Sequence, residues 1–314
     1  MQIVERNSDA IIEHIFRLAM FIRNSLRTIT ASQALMNHRS STQIHTGKKS
    51  SIVDTRNMLN NYKGGSVDLI RQDNGIAHLV LNHPERRNAL SGSMMVDMAD
   101  AVEELEKWDK GVGLVVRGAK DSRVFCAGGD LKSVEKIIGQ DAIFDLSMLM
   151  NQTTEKLSKL PLVSVCLVEG MVVGGGAELA TATDFRLVTP GSAVTFVHAK
   201  MGVAPAWGGA RRLVRLVGRN IALELLLSCE KIDLEKGLNI GLFDDTIEHE
   251  NTSIAAENFL LNKFVGVDPS VVRAMKRMVL DQDPKQEARI FSPLWGGPVN
   301  KAALQKNVKH SYLS

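Results

Sequence analysis

Apolar residues recur along this chain with two periods, and the alternation between them predicts an α/β core followed by a helical tail. Segments 67–72 (VDLIRQ) and 76–82 (IAHLVLN) read as strands around Asp73-Asn74-Gly75, a strong hairpin signal. Met94, Met95, Met98, Val102, Leu105 and Trp108 then repeat at helical spacing, predicting a helix over 92–108. Residues 112–117 (VGLVVR) return to strand, and this strand–helix–strand order implies parallel pairing with a right-handed crossover. A long loop is expected at 118–131, then a helical pattern over 131–159 broken at Gly139. The β-branched run 163–168 reads as a fully buried strand, with Gly174-Gly175-Gly176 as the turn into a short helix, AELATAT. Strands are predicted at 184–189 and 193–197, and a loop over 198–209. Helices follow at 210–217, 219–228, 234–239, 252–264, 269–281 and 284–291.

Composition changes the picture only at the N-terminus. Between Glu13 and Asp54 there is no acidic residue, while Arg17, Arg23, Arg27, Arg39, Lys48 and Lys49 fall there among many Ser and Thr. Residues 14–27 fit a basic amphipathic helix, so residues 1–60 read either as a mitochondrial leader or as an extension without an address. The globular part is placed from Gly64, with an α/β core over 64–250 and a helical region over 251–314. Over the whole chain, 44% hydrophobic and 23% charged residues are ordinary for a water-soluble domain. A net charge of +3 makes no case for nucleic acid. Cys126, Cys166 and Cys229 lack metal-type or CxxC spacing, so neither a metal nor a disulfide is expected. No apolar run reaches the roughly 18 residues of a membrane helix.

Two glycine turns carry the candidate chemistry, CAGG at 126–129 and GGG at 174–176, each between an extended run and a helix. Two backbone N–H groups from such turns can converge on one oxygen and stabilise negative charge on a carbonyl. Neither GxxxxGK[ST], nor a dinucleotide GxGxxG, nor a GxSxG nucleophile turn is present. Glu178 opens the helix after the second turn, where an acid is often only a dipole partner.

NHPERRNALS, FCAGGDL, VEGMVVGGGAELATATDFRL, GVAPAWGGARRLVRLVG and NIGLFDDTI together resemble the crotonase (enoyl-CoA hydratase/isomerase) superfamily, in consecutive order over residues 66–300. The resemblance implies a spiral of ββα units in two sheets, a C-terminal region that packs trimers or hexamers, and acyl-CoA thioester substrates. It implies that the thioester oxygen is held by the N–H groups of Ala127 and Gly175. Gly128, Gly129 and Asp130 would then lie around the CoA and acyl group, and segment 86–90 with Arg87 and Ala89 along the CoA nucleotide. No cofactor is implied, because coenzyme A enters as part of the substrate.

The departures from the family pattern narrow the chemistry. The first of the two hydratase glutamates matches Glu178. The second, seven residues before Pro205, falls at His198, and the small pair after that proline is Ala206-Trp207. Within the family, GGSVDL, LVVRGAK, DFRLVTP, FVHAKMGVAPAWGG and WGGPVN resemble members that decarboxylate 2-alkylmalonyl-CoA thioesters. That resemblance implies a carboxy-lyase in which His198 or a neutral Glu178 returns a proton to the enolate, Trp207 shapes the acyl pocket, and the location is the cytosol. Hydratase or isomerase chemistry through Glu178 is the alternative. A non-catalytic CoA- or RNA-binding relative is the alternative of another class.

Overall fold

The computed structural model describes residues 52–305 except 120, 121, 136, 138, 139, 249, 265 and 282. The basic stretch read as a leader and the helix expected at 14–27 therefore lie outside the described residues. Helix α1 (Ile52–Leu59) precedes the hairpin of β1 (Ser66–Arg71) and β2 (Ile76–Asn82); α2 (Gly92–Glu106) follows, started by Ser91, whose hydroxyl accepts the Met94 N–H. Next come β3 (Gly113–Gly118), β4 (Val124–Cys126), α3 (Leu131–Val134) and α4 (Gln140–Lys159). The centre is β5 (Val163–Val168), β6 (Met171–Val173), α5 (Gly175–Ala180), β7 (Phe185–Val188) and β8 (Ala193–Thr195). The remainder is α6 (Gly209–Val217), α7 (Arg219–Ser228), α8 (Leu234–Asn239), β9 (Asp245–Thr246), α9 (Thr252–Lys263), α10 (Pro269–Asp281), α11 (Pro284–Phe291) and α12 (Pro298–Gln305).

Six strands form one sheet in the order β1-β2-β3-β5-β7-β9, and three form a second in the order β4-β6-β8. β1 and β2 pair antiparallel; every later pair in both sheets is parallel. The chain repeats one move three times. A strand of the large sheet (β3, β5, β7) leads directly into a short strand of the small sheet (β4, β6, β8), and a helix closes each step. Side chains on β5 alternate as a strand buried on both faces requires. Cys166 and Val168 join the main core with α2 and α4, while Val165 and Leu167 join a second cluster with Ala256 and Leu260 of α9.

Four expectations change. Residues 118–131 are not all loop, because Val124–Cys126 is a strand, and the turn expected after β5 contains the strand Met171–Val173. Three-residue strands are too short to show a period. Gly170 makes the corner between the two sheets: its φ is +70°, and a Cβ there would lie 1.9 Å from the Arg123 carbonyl oxygen. The folded part also begins before Gly64, since α1 buries Thr55 and Leu59 and sends Arg56 to Asp100 and Glu103 on α2. At the other end, α9 covers the large sheet, so packing does not divide at residue 250. α10 is tied back by Lys276, which reaches Asp184. Among the described residues, no helix is long and apolar enough to cross a membrane.

Candidate active site

The two glycine turns meet face to face. A Cβ at Gly128 would lie 3.0 Å from the Gly175 nitrogen and 3.2 Å from the Val173 carbonyl oxygen, and one at Gly176 would lie 2.3 Å from the Cys126 carbonyl oxygen. Only glycine permits this approach. Gly175 opens α5, where its N–H has no carbonyl of its own helix to bond. A backbone N–H at a helix start can serve an acceptor from outside the helix. The companion donor differs from expectation. The Ala127 N–H already donates to the Arg87 carbonyl at 3.1 Å.

The 83–91 turn explains that contact. Arg87 and Asn88 both have positive φ, at 55° and 54°, which costs a non-glycine residue about 1–2 kcal/mol each. Asn88 is buried and holds the turn shut: its Oδ1 accepts the His83 N–H at 3.0 Å, and its Nδ2 donates to the Val124 carbonyl at 2.8 Å. Leu90 N–H then donates to Gly128, and Asp130 N–H to Leu90, both at 2.8 Å. Arg87 and Ala89 thus belong to a segment that runs alongside 127–130. Ala89 is buried, Arg87 half-buried and Arg86 exposed. Asp130 accepts the Ser133 hydroxyl at 2.7 Å. Cys126, beside the donor, is no thiolate: burial pushes its thiol up to about 12.

Glu178 is only 2% exposed, yet both its oxygens are occupied. Oε1 accepts the Ala206 N–H at 3.2 Å and faces His198 Nε2 at 3.1 Å; Oε2 accepts the N–H groups of Trp207 at 2.8 Å and Gly209 at 2.9 Å. The loop 206–209 wraps this carboxylate, and Gly209 must be glycine because a Cβ there would lie 2.4 Å from Glu178 Cγ. Glu178 is therefore more than a dipole partner of its own helix. With the carboxylate as acceptor, His198 Nε2 carries the hydrogen of this contact. His198 Nδ1 is buried and has no hydrogen-bond partner.

Trp207 lies across both turns. A Cβ at Gly175 would lie 2.6 Å from Trp207 Cζ3, and one at Gly129 would lie 3.7 Å from Cζ2. The indole is thus a wall beside the Gly175 donor. The structure brings Glu178, His198, Trp207, Gly175 and the 127–130 turn together. Sequence reasoning missed the loop N–H groups, whose direction no residue type encodes, and two buried polar residues behind them, Thr154 and Arg212. Burial lowers Arg212 to about 10, so it remains a cation at neutral pH. Among the described residues, no group of three or more His, Cys, Asp or Glu is placed to hold a metal ion.

Comparison with known proteins agrees with this geometry. The enoyl-CoA hydratase/isomerase family model matches residues 71–292. The chain is 41% identical over 267 residues to ethylmalonyl-CoA decarboxylase of Mus musculus, covering 82% of each. It is 39% identical over 298 residues to ethylmalonyl-CoA decarboxylase of Xenopus tropicalis, covering 92% of this chain and 98% of that one. A crystal structure of enoyl-CoA hydratase from Thermoplasma volcanium superimposes with a TM-score of 0.68 at 26% identity, over 77% of this chain and 97% of that one. With its turns, its sheets and its relatives in agreement, this chain belongs to the enoyl-CoA hydratase/isomerase family.

Proposed function

We propose that this enzyme is a carboxy-lyase that converts 2-alkylmalonyl-CoA, ethylmalonyl-CoA foremost and methylmalonyl-CoA as well, to the acyl-CoA and CO₂. The observation that carries the proposal is His198 in place of the second hydratase glutamate, in a chain about 40% identical to proteins named ethylmalonyl-CoA decarboxylase. Among the described residues the side chain that faces Glu178 is an imidazole and not a second carboxylate that could share an attacking water. Decarboxylation needs no water and no base. The electrons of the broken C–C bond stay on the α-carbon and spread to the thioester oxygen, which Gly175 N–H and Ala127 N–H stabilise. Ala127 exchanges its Arg87 acceptor for the substrate oxygen.

The enolate then takes one proton at the α-carbon, so one proton is consumed for each CO₂ released. The Glu178–His198 pair is its source. The substrate carboxylate brings a second negative charge toward Glu178, a like-charge approach that the site must accommodate. Trp207 bounds the space for the 2-alkyl group. The reaction draws on no cofactor beyond the CoA of the substrate, so dialysis against a chelator leaves turnover intact.

The deciding assay offers recombinant protein ethylmalonyl-CoA, methylmalonyl-CoA and crotonyl-CoA, with CO₂ detection. Fast hydration of crotonyl-CoA without CO₂ release from the malonyl thioesters would sink the proposal in favour of hydratase chemistry through Glu178. Self-association as a trimer or hexamer is supported by apolar side chains exposed in the C-terminal region, among them Met275, Val279 and Phe291 on helices and Trp295 on the turn that follows. Light scattering of the full chain tests it. A cytosolic location is tested by fusing residues 1–60 to a fluorescent protein; import into mitochondria would overturn it.

A further inference from the structure

Helix α6 carries three arginines, and they part ways. Arg211 and Arg215 are exposed, and Arg211 reaches Asn151 at 3.0 Å. Arg212 turns inward and is only 4% exposed. A buried guanidinium is costly unless its donors are met. Here the fork donates to four acceptors on three elements. Nε reaches Thr181 Oγ1 at 3.1 Å, and Nη1 reaches Thr154 Oγ1 on α4 at 3.2 Å. Nη2 reaches the Glu178 carbonyl at 3.1 Å and the Trp207 carbonyl at 2.8 Å. Thr154 Oγ1 lies 2.6 Å from that same Trp207 carbonyl.

The choice of acceptors is informative. Two of the four are main-chain carbonyls of the residues whose side chains form the site. The Trp207 residue is thereby held from both ends: its N–H is fixed on the Glu178 carboxylate, and its C=O on Arg212 and Thr154. With both backbone groups fixed, the indole is kept against Gly175 and the loop N–H groups stay aimed at the carboxylate. The positive charge of Arg212 also sits beside the buried negative charge of Glu178 in a region with little water to screen either.

We infer that Arg212 is a positioning residue for the acyl side of the site, setting the Trp207 wall and the Glu178 carboxylate as one unit without touching substrate. Lysine cannot take its place, because an ammonium is a single point on a flexible stem and cannot span four acceptors in a planar fork. The kinetic part of this inference rests on the decarboxylation reading; the spectroscopic part does not.

The test uses the full chain carrying Trp108→Phe and Trp295→Phe, which leaves Trp207 as the one tryptophan of the original three. Arg212→Gln and Arg212→Lys are compared with this parent by tryptophan emission, acrylamide quenching, thermal melting, and kcat and KM on ethylmalonyl-CoA. The expected result is a red-shifted, more readily quenched Trp207 in folded protein, with kcat lower by about 10²-fold and KM little changed. Arg212→Lys is expected to restore only a small part of kcat. Thr154→Val, which removes one support of the Trp207 carbonyl and keeps Arg212, moves both readouts in the same direction by less. Folded Arg212→Gln with parental emission and kcat within about threefold overturns the inference. If the Arg212 variants do not fold, Thr154→Val decides, and parental emission and kcat there overturn it equally. A parent that releases no CO₂ refutes the decarboxylation reading instead, and the emission shift alone then judges Arg212.

Discussion

His198 and His78 each meet a glutamate through Nε2, at 3.1 Å to Glu178 and 2.9 Å to Glu257. Taken as pairs they are nearly the same object, buried imidazole against carboxylate. Their surroundings separate them. His78 stands on β2 under α9 with both ring nitrogens engaged, since Arg117 Nε reaches Nδ1 at 3.4 Å, and Glu257 also accepts from Gln72 at 3.1 Å. It is a closed knot that holds α9 to the sheet. His198 keeps a buried, unpartnered Nδ1, and its glutamate is wrapped by backbone N–H groups beside two facing glycine turns. A His–Glu pair is thus not a site by itself. The converging backbone around it makes the difference.

The sharpest way to break this contrast is to remove each histidine's function. His198→Ala is expected to lower kcat by about 10²–10⁴ in protein that still folds, as loss of acid–base function does. Gly175→Ala should follow, with a loss of about 10²–10³, because the added Cβ drives the Trp207 ring from beside the donor. Steady-state CO₂ release measures both, and near-parental turnover in either would dissolve the assignment.

The knot should respond in the opposite sense. Glu257→Ala leaves His78 Nε2–H buried without its acceptor, which costs about 1–3 kcal/mol of stability in denaturant titration, while kcat stays within about threefold. A drop in kcat with no loss of stability would mean that the two pairs had been assigned the wrong way round. The smallest effect is on pH. Burial pushes His78 below the usual histidine value of 6.5; Glu257 opposes this and Arg117 adds to it. The unfolded chain therefore binds the proton more readily. The stability contributed is complete above about pH 6.5 and is lost as pH falls below it, by at most about 1.4 kcal/mol per pH unit. His78→Phe should flatten that slope in melts followed between pH 7 and 5.

Much of the fold is legible before any coordinates. The hairpin, α2, β3, β5 and the run of helices after residue 209 follow from periods long enough to count. β4 and β6 were invisible because three residues cannot establish a period, and α1 because its neighbourhood was judged by charge, with Asp54 its only acid. The site was legible where residue type carries chemistry, at Glu178, His198 and the glycines, through resemblance to a known family. The same resemblance named Ala127 as a donor but could not show that Arg87 already accepts its hydrogen. Arg212 and Thr154 stayed hidden because an arginine on a basic helix reads as solvated until its burial is known.

The Arg87 carbonyl gives the resting enzyme a memory of its own product-free state. Under the proposed reaction a thioester oxygen competes with the Arg87 carbonyl for the Ala127 N–H, so the hydrogen bond it gains is offset by one it breaks. The left-handed backbone at Arg87 and Asn88 keeps that internal rival close at hand. Under the same proposal the chain reclaims that hydrogen bond as the acyl-CoA leaves, and the grip on the thioester oxygen is strongest where its negative charge is greatest, in the enolate.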